Sequence, residues 1–345
     1  MKKKSKDTPA PQPPPPGSPN GQHPVELGHY TITTPMLSAL TPIVVRWVAR
    51  NATGNILRGN QRHGKSHACP YFSGKLSEKF PGILTYTIIC RTALKPTERA
   101  FFERLLEATH HLDPSRGTAS AMRNRLTGFL VEEVRRSNQN RIVLFIDEAQ
   151  KLLETHYDWL IDLHNELRLV HVDMTVILVG QNELIDQRSD YKARRKNHIF
   201  GRFMREEYEL APIRTKAELA ECLKKFDDPK ACCWPEGSGI CYTAHFFKEA
   251  YAAGWRLANI ADVLWESFDE VRVRNGVSQA RLEIALEDFF LTIKTFLIEV
   301  GRRKSTDPDV KKEELMPMIV EAGFGSAELP PEDPGEDSDD DPDES

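Results

Sequence analysis

Eight residues, Gly59 to Ser66 with the sequence GNQRHGKS, constrain the fold of this chain more than any other segment. They match the pattern G-x-x-x-x-G-K-S, in which glycines let backbone N–H groups approach phosphate oxygens closely. The apolar run at residues 55–58 predicts a strand before the motif, and the pattern after it predicts a helix. The alternative is an ordinary surface turn, which requires neither the strand nor the helix.

Each position of this loop has an expected role in binding a nucleoside triphosphate. Lys65 would contact the β- and γ-phosphates, the Ser66 hydroxyl would ligate Mg²⁺, and the next helix would direct its positive end at the phosphates. The expected cofactors are therefore ATP and Mg²⁺. The expected nucleotide-binding residues are Gly59, Asn60, Gln61, Arg62, His63, Gly64, Lys65, Ser66 and His67.

The apolar segment RIVLFIDE, residues 141–148, ends in two adjacent carboxylates, Asp147 and Glu148. A carboxylate at the end of a strand beside a phosphate loop can hold Mg²⁺ through its water shell. We therefore predict Asp147, with Ser66, as a metal ligand and Glu148 as the catalytic residue that orients and activates the attacking water. Many strands end in a merely solvated acid, but here a phosphate loop lies about 80 residues before the pair.

Polar and basic residues further along the chain are candidates for catalytic contacts near the γ-phosphate. Gln181 and Asn182 follow the apolar run TVILV, where a side chain could bridge the attacking water and the γ-phosphate, although Asn182 could instead cap a helix. Arg202 and Arg205 precede a strand predicted at residues 208–210, where an arginine can reach the γ-phosphate of a neighbouring subunit. Either arginine could instead form surface ion pairs; we favour Arg202.

The spacing of apolar residues predicts an α/β domain followed by an all-α domain. Short β-branched runs, typical of strands buried on both faces, alternate with segments of helical spacing, and this alternation favours a parallel sheet with crossover helices. The runs lie at 83–89, 141–146 and 175–179, and the helical segments at 96–109, 119–137 and 153–170. After Pro212 only helices are predicted, at 215–226, 243–253, 257–273 and 280–299.

The two ends of the chain differ in composition from the rest. Residues 1–28 are Pro-rich and polar, and residues 304–345 return to that character and include ten Asp/Glu and no Lys/Arg at 328–345. Such segments have little to bury, so both ends are predicted to be disordered. The nucleotide-binding domain is then expected at 29–212 and a helical lid at 213–303.

Charge and composition limit the classes of function. Without the acidic end the chain has 46 Lys/Arg against 41 Asp/Glu, a net charge of +5 that is compatible with nucleic-acid binding. The six cysteines show no CxxC pair and no metal-ligand spacing, which indicates reduced thiols. No apolar run approaches the roughly 20 residues that cross a bilayer, and no apolar segment follows the charged start. We expect a cytoplasmic protein without membrane contact.

The order of these features resembles that of an AAA+ ATPase over roughly residues 35–300. This order is phosphate loop, FIDE, polar strand end, the RF pair at 202–203 and a helical lid. The resemblance implies an α/β fold: a three-layer αβα P-loop domain with a five-stranded parallel sheet, followed by a small α-helical lid. More narrowly, TTPMLSAL, LFIDEAQKLL, LHNELRLVHVDMTVILVGQNEL and GRF…YELAPI resemble the TniB/TnsC family, regulators of transposition in Tn7-like and related elements.

The TniB/TnsC resemblance implies an ATP-loaded protein that assembles as a homo-oligomeric ring or helical filament on double-stranded DNA. There it would link a TniQ-like target selector to the transposase, and ATP hydrolysis would dissolve the assembly. The phrase DEAQ is shared with ExeA-type and initiator-type ATPases, so a secretion or signalling ATPase and a replication initiator or loader are alternatives. A nucleotide-dependent clamp that does not hydrolyse ATP is a further one.

Two positions depart from the patterns that the chain resembles. Many AAA+ loops have a glycine where this loop has Arg62, and TniB-like members often lack that glycine too. The segment AGWRLANI resembles the sensor-2 segment, which implies a contact between Arg256 and the γ-phosphate. Arg256 follows Gly254 by two residues, whereas initiator relatives have a spacing of three.

Two basic segments are candidates for DNA contacts. The first holds Arg91, Lys95 and Arg99, in a loop that lines the inner surface of similar filaments. The second spans residues 188–196 and could equally be a solvated helix face; its basic residues are Arg188, Lys192, Arg194, Arg195 and Lys196. No recognition helix or aromatic stacking pattern is present, so we expect contacts to the DNA backbone, independent of sequence and weakened by salt.

Overall fold

The computed structural model describes residues 22–28, 30–92, 95–276, 281–303 and 308–325. Its first domain is built around a parallel sheet with the strand order β2-β3-β4-β1-β5. The strands are β1 (Gly54–Arg58), β2 (Leu84–Ile89), β3 (Arg141–Asp147), β4 (Asp173–Gly180) and β5 (Glu207–Glu209). All neighbouring pairs are parallel, so the carboxyl ends of the strands meet at one edge of the sheet.

Helices cover both faces of the sheet and form the second domain. In chain order they are α1 (Pro24–Leu27), α2 (Pro35–Ala49), α3 (Lys65–Lys79), α4 (Glu98–Ala108), α5 (Ala119–Ser137), α6 (Glu154–Leu169), α7 (Glu183–Ala193), α8 (Asn197–Phe203), α9 (Lys216–Asp227), α10 (Tyr242–Phe246), α11 (Lys248–Ala252), α12 (Ala261–Arg274), α13 (Leu286–Arg303) and α14 (Lys312–Glu321). Two short 3₁₀ helices lie at Ala149–Lys151 and Leu257–Ile260. Among the residues described, no helix is long and apolar enough to cross a membrane.

Alternation along the central strands explains the three-layer arrangement. In β3, Ile142, Leu144 and Ile146 pack with α4, α5 and α6 on one face of the sheet. Val143 and Phe145, which point to the other face, pack with α2 and α3. A strand buried on both faces reads as a continuous apolar run, which is the pattern of RIVLFI. The predicted fold class, a five-stranded parallel αβα P-loop domain followed by a helical domain, is confirmed.

The helical domain has a separate apolar core formed mainly by α9 to α14. Two helices of this domain differ from the sequence prediction. The segment predicted as one helix at 243–253 is divided between α10 and α11 at Phe247. Helix α13 begins at Leu286; residues 281–285 of the predicted helix are not helical, and Ile284 among them forms an antiparallel β-bridge with Ile213.

The prediction of disorder was wrong for residues 308–325 and for residues 22–28. Helix α14 packs against α12 and α13, with Leu315 and Ile319 fully buried. Helix α1 likewise places Val25 in the core of the helical domain. Helix α14 contains the apolar run LMPMIV at residues 315–320, and the surface that buries it is formed by distant parts of the chain. Residues 1–21 and 326–345, also predicted to be disordered, lie outside the described residues.

The packing of α14 predicts opposite outcomes for two adjacent substitutions. Ile319 is fully buried, whereas its neighbour Val320 is 58% exposed. Ile319→Ala should lower the free energy of unfolding by about 2–5 kcal/mol, because it removes buried methyl groups and leaves a cavity. Val320→Ala should change it by less than about 0.5 kcal/mol. Chemical denaturation measures both, and equally small effects would contradict the docking of α14.

Candidate nucleotide site

A cavity of about 460 Å³ lies between the phosphate loop, the segment that leads into α2, and helix α13 of the lid. The loop contributes its last residues, Gln61 to Ser66, and α3 adds His67. Apolar side chains from the other two parts line the cavity, among them Ile32, Leu37 and Phe290. The cavity therefore combines a polar loop with apolar walls, which is the composition expected of a small-molecule site.

The loop ends in a backbone conformation that presents the first turn of α3 to this cavity. Gly64 precedes α3 with a φ of 77°, in the left-handed region that favours glycine. In the part of the chain that the structure describes, no side chain caps the start of α3. Because the first N–H groups of a helix lack partners within the helix, this end can receive an anion such as a phosphate.

Lys65 is a buried ammonium group at the base of the loop. It is 7% exposed, and its Nζ atom donates a hydrogen bond of 2.7 Å to the carbonyl oxygen of Asn60. Burial lowers the pKa of Lys65, while the carboxylates of Glu148 and Asp147 oppose this shift. A buried charge that has only a backbone carbonyl as its hydrogen-bond partner among the described residues fits a site that receives phosphate oxygens.

The candidate metal ligands, Ser66 and Asp147, are in direct contact. Ser66 Oγ donates a hydrogen bond of 2.9 Å to Asp147 Oδ2, and Asp147 is only 3% exposed. The other carboxylate oxygen of Asp147 accepts from the backbone N–H of Glu148 at 2.9 Å. Across the described ranges no group of three or more His, Cys, Asp or Glu could hold a metal ion. A hydroxyl and one carboxylate fit Mg²⁺, which completes its shell with water and substrate phosphates.

Glu148 lines the cavity, and two neighbouring side chains hold its carboxylate. Its Oε2 atom lies 2.7 Å from Lys151 Nζ and accepts a hydrogen bond of 3.1 Å from Gln150. Gln150 also accepts, at 3.2 Å, from the backbone N–H of Gln181 at the end of β4. Gln150 and Lys151 were missed as site residues, although both lie in the segment LFIDEAQKLL.

The two polar residues after β4 have different positions. Gln181 lines the cavity. Asn182 does not cap α7 with its side chain; it accepts from Arg58 at 3.1 Å and donates to Asn60 at 2.5 Å. Asn182 therefore stabilises the phosphate loop through Asn60 and the end of β1 through Arg58. Of this pair, Gln181 is the residue that lies at the cavity.

The arginines proposed for the γ-phosphate do not line this cavity. Arg202 donates a hydrogen bond of 3.0 Å to Asn165 on α6, and Arg205 is exposed. Their contact in trans, which needs a second subunit, stays a prediction. Arg256 instead donates to the carbonyl oxygens of Tyr251 and Trp255, at 2.9 and 2.7 Å.

The structure therefore does not bring Arg256 to the nucleotide cavity. The Arg256 guanidinium lies 3.7 Å from the centre of the Tyr251 ring and donates a hydrogen bond to the carbonyl oxygen of Tyr251, near the end of α11. The cation that the lid does contribute to the cavity is Lys294 on α13. The sequence analysis missed Lys294, because helical spacing alone does not show which face of α13 meets the loop.

The first basic segment forms part of a second, smaller cavity of about 60 Å³ at the ends of β2 and β3. Arg91 and Lys95 line it together with Arg104 and Lys151, and no carboxylate does so in the ranges described. Arg99 is directed elsewhere and donates to the carbonyl oxygens of Ser115, at 2.7 Å, and Gly117.

The second basic segment is largely engaged within the molecule. Arg188 pairs with Glu207 at 3.2 Å, and Arg194 and Lys196 both pair with Glu154, at 3.1 and 2.5 Å. Lys192 and Arg195 are exposed. These two are the residues of the second segment whose exposure suits a DNA contact.

Comparison with known proteins identifies part of the chain. Residues 50–187 match the family model of the AAA domain, a range that includes the phosphate loop, the acidic end of β3 and the polar end of β4. No curated protein matches the chain. Within these residues the chain is similar to AAA domains, a coarser statement than the resemblance to the TniB/TnsC family.

Several solved structures are similar to the chain in fold. The Aeropyrum pernix ORC2 protein in ADPNP–ADP complexes is 14% identical, with 79% of this chain and 70% of that chain covered and a TM-score of 0.43. Drosophila ORC bound to DNA is 13% identical, with 83% and 69% covered and a TM-score of 0.49. Domain III of the Thermotoga maritima replication initiation protein DnaA is 14% identical, with 89% and 98% covered and a TM-score of 0.42. At these identities the similarity concerns the fold alone.

The buried ammonium group predicts that Lys65→Ala abolishes nucleotide binding. The substitution removes the positive charge that would meet the phosphates and leaves the chain folded. Titration with a fluorescent ATP analogue measures binding, and circular dichroism checks the fold. Lys75→Ala, on the exposed side of the same helix and paired with Glu78, is the control and should bind as the wild type does. Equal binding by both variants would contradict the site.

Proposed function

We propose that the protein is a Mg²⁺-dependent ATPase whose ATP-bound form assembles on double-stranded DNA and regulates transposition. The observation that carries the ATPase proposal is the convergence of Lys65, Ser66 and Glu148 at one cavity, with Asp147 hydrogen-bonded to Ser66. The chain separates these residues widely, yet the order of the parallel strands brings the phosphate loop and the acidic strand end to the same edge of the sheet. A surface turn would not place a buried lysine beside two carboxylates.

The apolar side of the cavity supports a nucleotide as the ligand. Tyr30, Ile32, Leu286 and Phe290 form walls against which a flat purine base can pack. The loop and the start of α3 lie at the polar side and would receive the phosphates. Lys294 adds a positive charge from the lid, which suits the negative charge of a triphosphate.

In the proposed hydrolysis, some residues of the site bind the metal and the phosphates, and one accepts a proton. Ser66 and Asp147 would hold Mg²⁺, which when bound neutralises negative charge on the phosphate oxygens. Lys65 holds the phosphates in place, and Glu148 orients a water molecule and accepts its proton. Lys151 and Gln150 both contact Oε2 of Glu148, so its other carboxylate oxygen, Oε1, would accept the proton from the water.

The second cavity supports contact with a nucleic-acid backbone. Four basic side chains, Arg91, Lys95, Arg104 and Lys151, surround it without a carboxylate among its lining residues in the described part. Such a group attracts phosphate and does not read bases, so binding should be independent of sequence. We propose Arg91 and Lys95 as the main DNA contacts, with Lys192 and Arg195 as additional ones.

The role in transposition rests on the order of the sequence segments that resemble the TniB/TnsC family. We propose a homo-oligomeric ring or filament on DNA, with Arg202 or Arg205 reaching the γ-phosphate of the neighbouring subunit. A TniQ-like target selector and a transposase are the proposed partners. A replication initiator or loader and an ExeA-like ATPase would have the same P-loop core and are the alternatives. The rate of ATP hydrolysis by an ExeA-like ATPase would not change when duplex DNA is added. Electron microscopy with duplex DNA and a non-hydrolysable ATP analogue distinguishes a filament former from both.

Substitution of the proposed base should separate binding from hydrolysis. Glu148→Gln should keep nucleotide affinity, because the residue does not hold the phosphates, and should lower ATP turnover by about 10²- to 10⁴-fold. Phosphate release measures turnover, and titration with the fluorescent analogue measures affinity. Glu132→Gln, on the exposed face of α5, is the control. Equal turnover in Glu148→Gln and the wild type would exclude Glu148 as the base.

Salt dependence should reveal the DNA contacts. The logarithm of the binding constant should fall linearly with the logarithm of salt concentration, and Arg91→Ala with Lys95→Ala should reduce the slope by about 1 per residue. The double substitution Lys192→Ala with Arg195→Ala tests the second basic segment. Arg135→Ala on α5 is the control and should leave the slope unchanged. Filter binding to duplexes of unrelated sequence makes the measurement. A wild-type slope near zero would remove DNA binding from the proposal.

A further inference from the structure

One side chain of the phosphate loop, Arg62, joins the loop to both the lid and the C-terminal helix. Its Nη1 atom lies 2.9 Å from Asp288 Oδ1 on α13. Its Nη2 atom donates a hydrogen bond of 2.8 Å to the carbonyl oxygen of Ala322, and Nη1 donates one of 3.3 Å to that of Gly323, just after α14. The backbone carbonyl of Arg62 accepts from the N–H of Glu287 at 3.0 Å. Three distant segments therefore meet at one guanidinium.

The backbone at Arg62 indicates that these contacts are not incidental. Its φ of 65° lies in the left-handed region, where a residue other than glycine is strained. The position would favour glycine on backbone grounds alone, and the contacts of the arginine side chain can offset this strain. Gly323, just after α14, has a φ of 89°, and its carbonyl oxygen accepts a hydrogen bond from the Arg62 guanidinium.

The positive charge of Arg62 is attracted by both of its partners, Asp288 and the end of α14. The Asp288 side chain is only 7% exposed, and that of Arg62 is 28% exposed. A buried carboxylate depends on its charge partner, and burial raises the pKa of Asp288 to about 6 while Arg62 opposes the shift. On the other side, the last carbonyl oxygens of α14 carry the negative end of the helix dipole, which attracts the guanidinium.

The same residues form part of the nucleotide cavity. Arg62 and Glu287 both line it, and so does Leu286, the first residue of α13. The loop backbone that would receive the phosphates is therefore the backbone that Arg62 attaches to α13 and α14. Helix α14 itself contributes no residue to the cavity lining among those described. Its influence on the nucleotide would pass through Arg62.

We propose that Arg62 is a positioning residue through which the docked helix α14 sets the nucleotide affinity of the phosphate loop. This inference rests on the proposed function, since it requires the loop to bind nucleotide. When α14 is docked, Arg62 holds the loop and the start of α13 in the arrangement that receives the phosphates. By thermodynamic linkage, a nucleotide in the loop strengthens the docking of α14 to the same extent. The C-terminal helix is thereby a reporter of the nucleotide state.

Four chains test this inference in a double-mutant cycle with a non-hydrolysable ATP analogue and Mg²⁺. They are the wild type, Arg62→Gly, a chain that ends at residue 307, and the combination of both changes. Arg62→Gly should weaken analogue binding by about tenfold, although glycine relieves the backbone strain. Removal of residues 308–345 should weaken it similarly, and Arg62→Gly should have little further effect in that shortened chain. A chain that ends at residue 325 keeps α14 and should bind as the wild type does.

Hydrogen exchange of residues 308–325 provides a readout that a merely structural role would not change. In the wild type the analogue should slow exchange in α14, and in Arg62→Gly it should not. Arg62→Lys keeps the charge but cannot contact the carboxylate and both carbonyls together, so its effect should be intermediate. If the shortened chain does not fold, the full-length variants decide the outcome.

The outcomes separate this inference from the proposed function. Analogue binding by Arg62→Gly at wild-type affinity or tighter, or equal slowing of exchange in α14 with and without the arginine, would overturn the role of Arg62. If that happens while Lys65→Ala abolishes binding, the nucleotide site stands and only the coupling fails. If the wild type binds no nucleotide, both fail.

Discussion

The hydrogen bond between Ser66 and Asp147 joins the first turn of α3 to the end of β3, and the site is arranged around this contact. Strand β1, which leads into the phosphate loop, and β3, which ends in Asp147, are not neighbours, because β4 lies between them in the sheet. The parallel direction of all strands places their carboxyl ends at one edge, so the phosphate loop, the acidic pair and Gln181 meet there. A sheet with one of these strands reversed would separate the hydroxyl from the carboxylate and leave Asp147 buried without a partner.

Features that depend on local sequence were predictable, and features that depend on a distant surface were not. The loop motif, the strands and the acidic pair follow from residues near one another in the chain, and β3 shows why: alternate residues of RIVLFI enter two different cores. Helix α14 was missed because its apolar run, LMPMIV, was grouped with the acidic end of the chain, although Leu315 and Ile319 are buried in the core of the helical domain. The directions of Arg256 and Lys294 were also missed, since the spacing of a motif does not fix the face that a helix presents. Asn182 faces the loop and not its own helix for a similar tertiary reason.

The nucleotide site is connected to the rest of the molecule through two charged contacts. On one side, Lys151 pairs with Glu148 and also lines the basic second cavity, so the proposed base and the proposed DNA contacts share a lysine. On the other side, Arg62 pairs with Asp288 and holds the end of α14. An event at the phosphates can therefore reach both the proposed DNA contacts and the C-terminal segment through short, direct contacts.

The proposed ATPase activity requires that Lys65, Ser66, Asp147 and Glu148 form a single metal–nucleotide site. The most direct measurement is a crystal structure of the protein with a non-hydrolysable ATP analogue and Mn²⁺ in place of Mg²⁺, recorded at a wavelength where manganese scatters anomalously. We expect one anomalous peak within coordination distance of Ser66 Oγ and close to Asp147, with the terminal phosphates at Lys65. Nucleotide bound elsewhere, or manganese distant from both side chains, would contradict it.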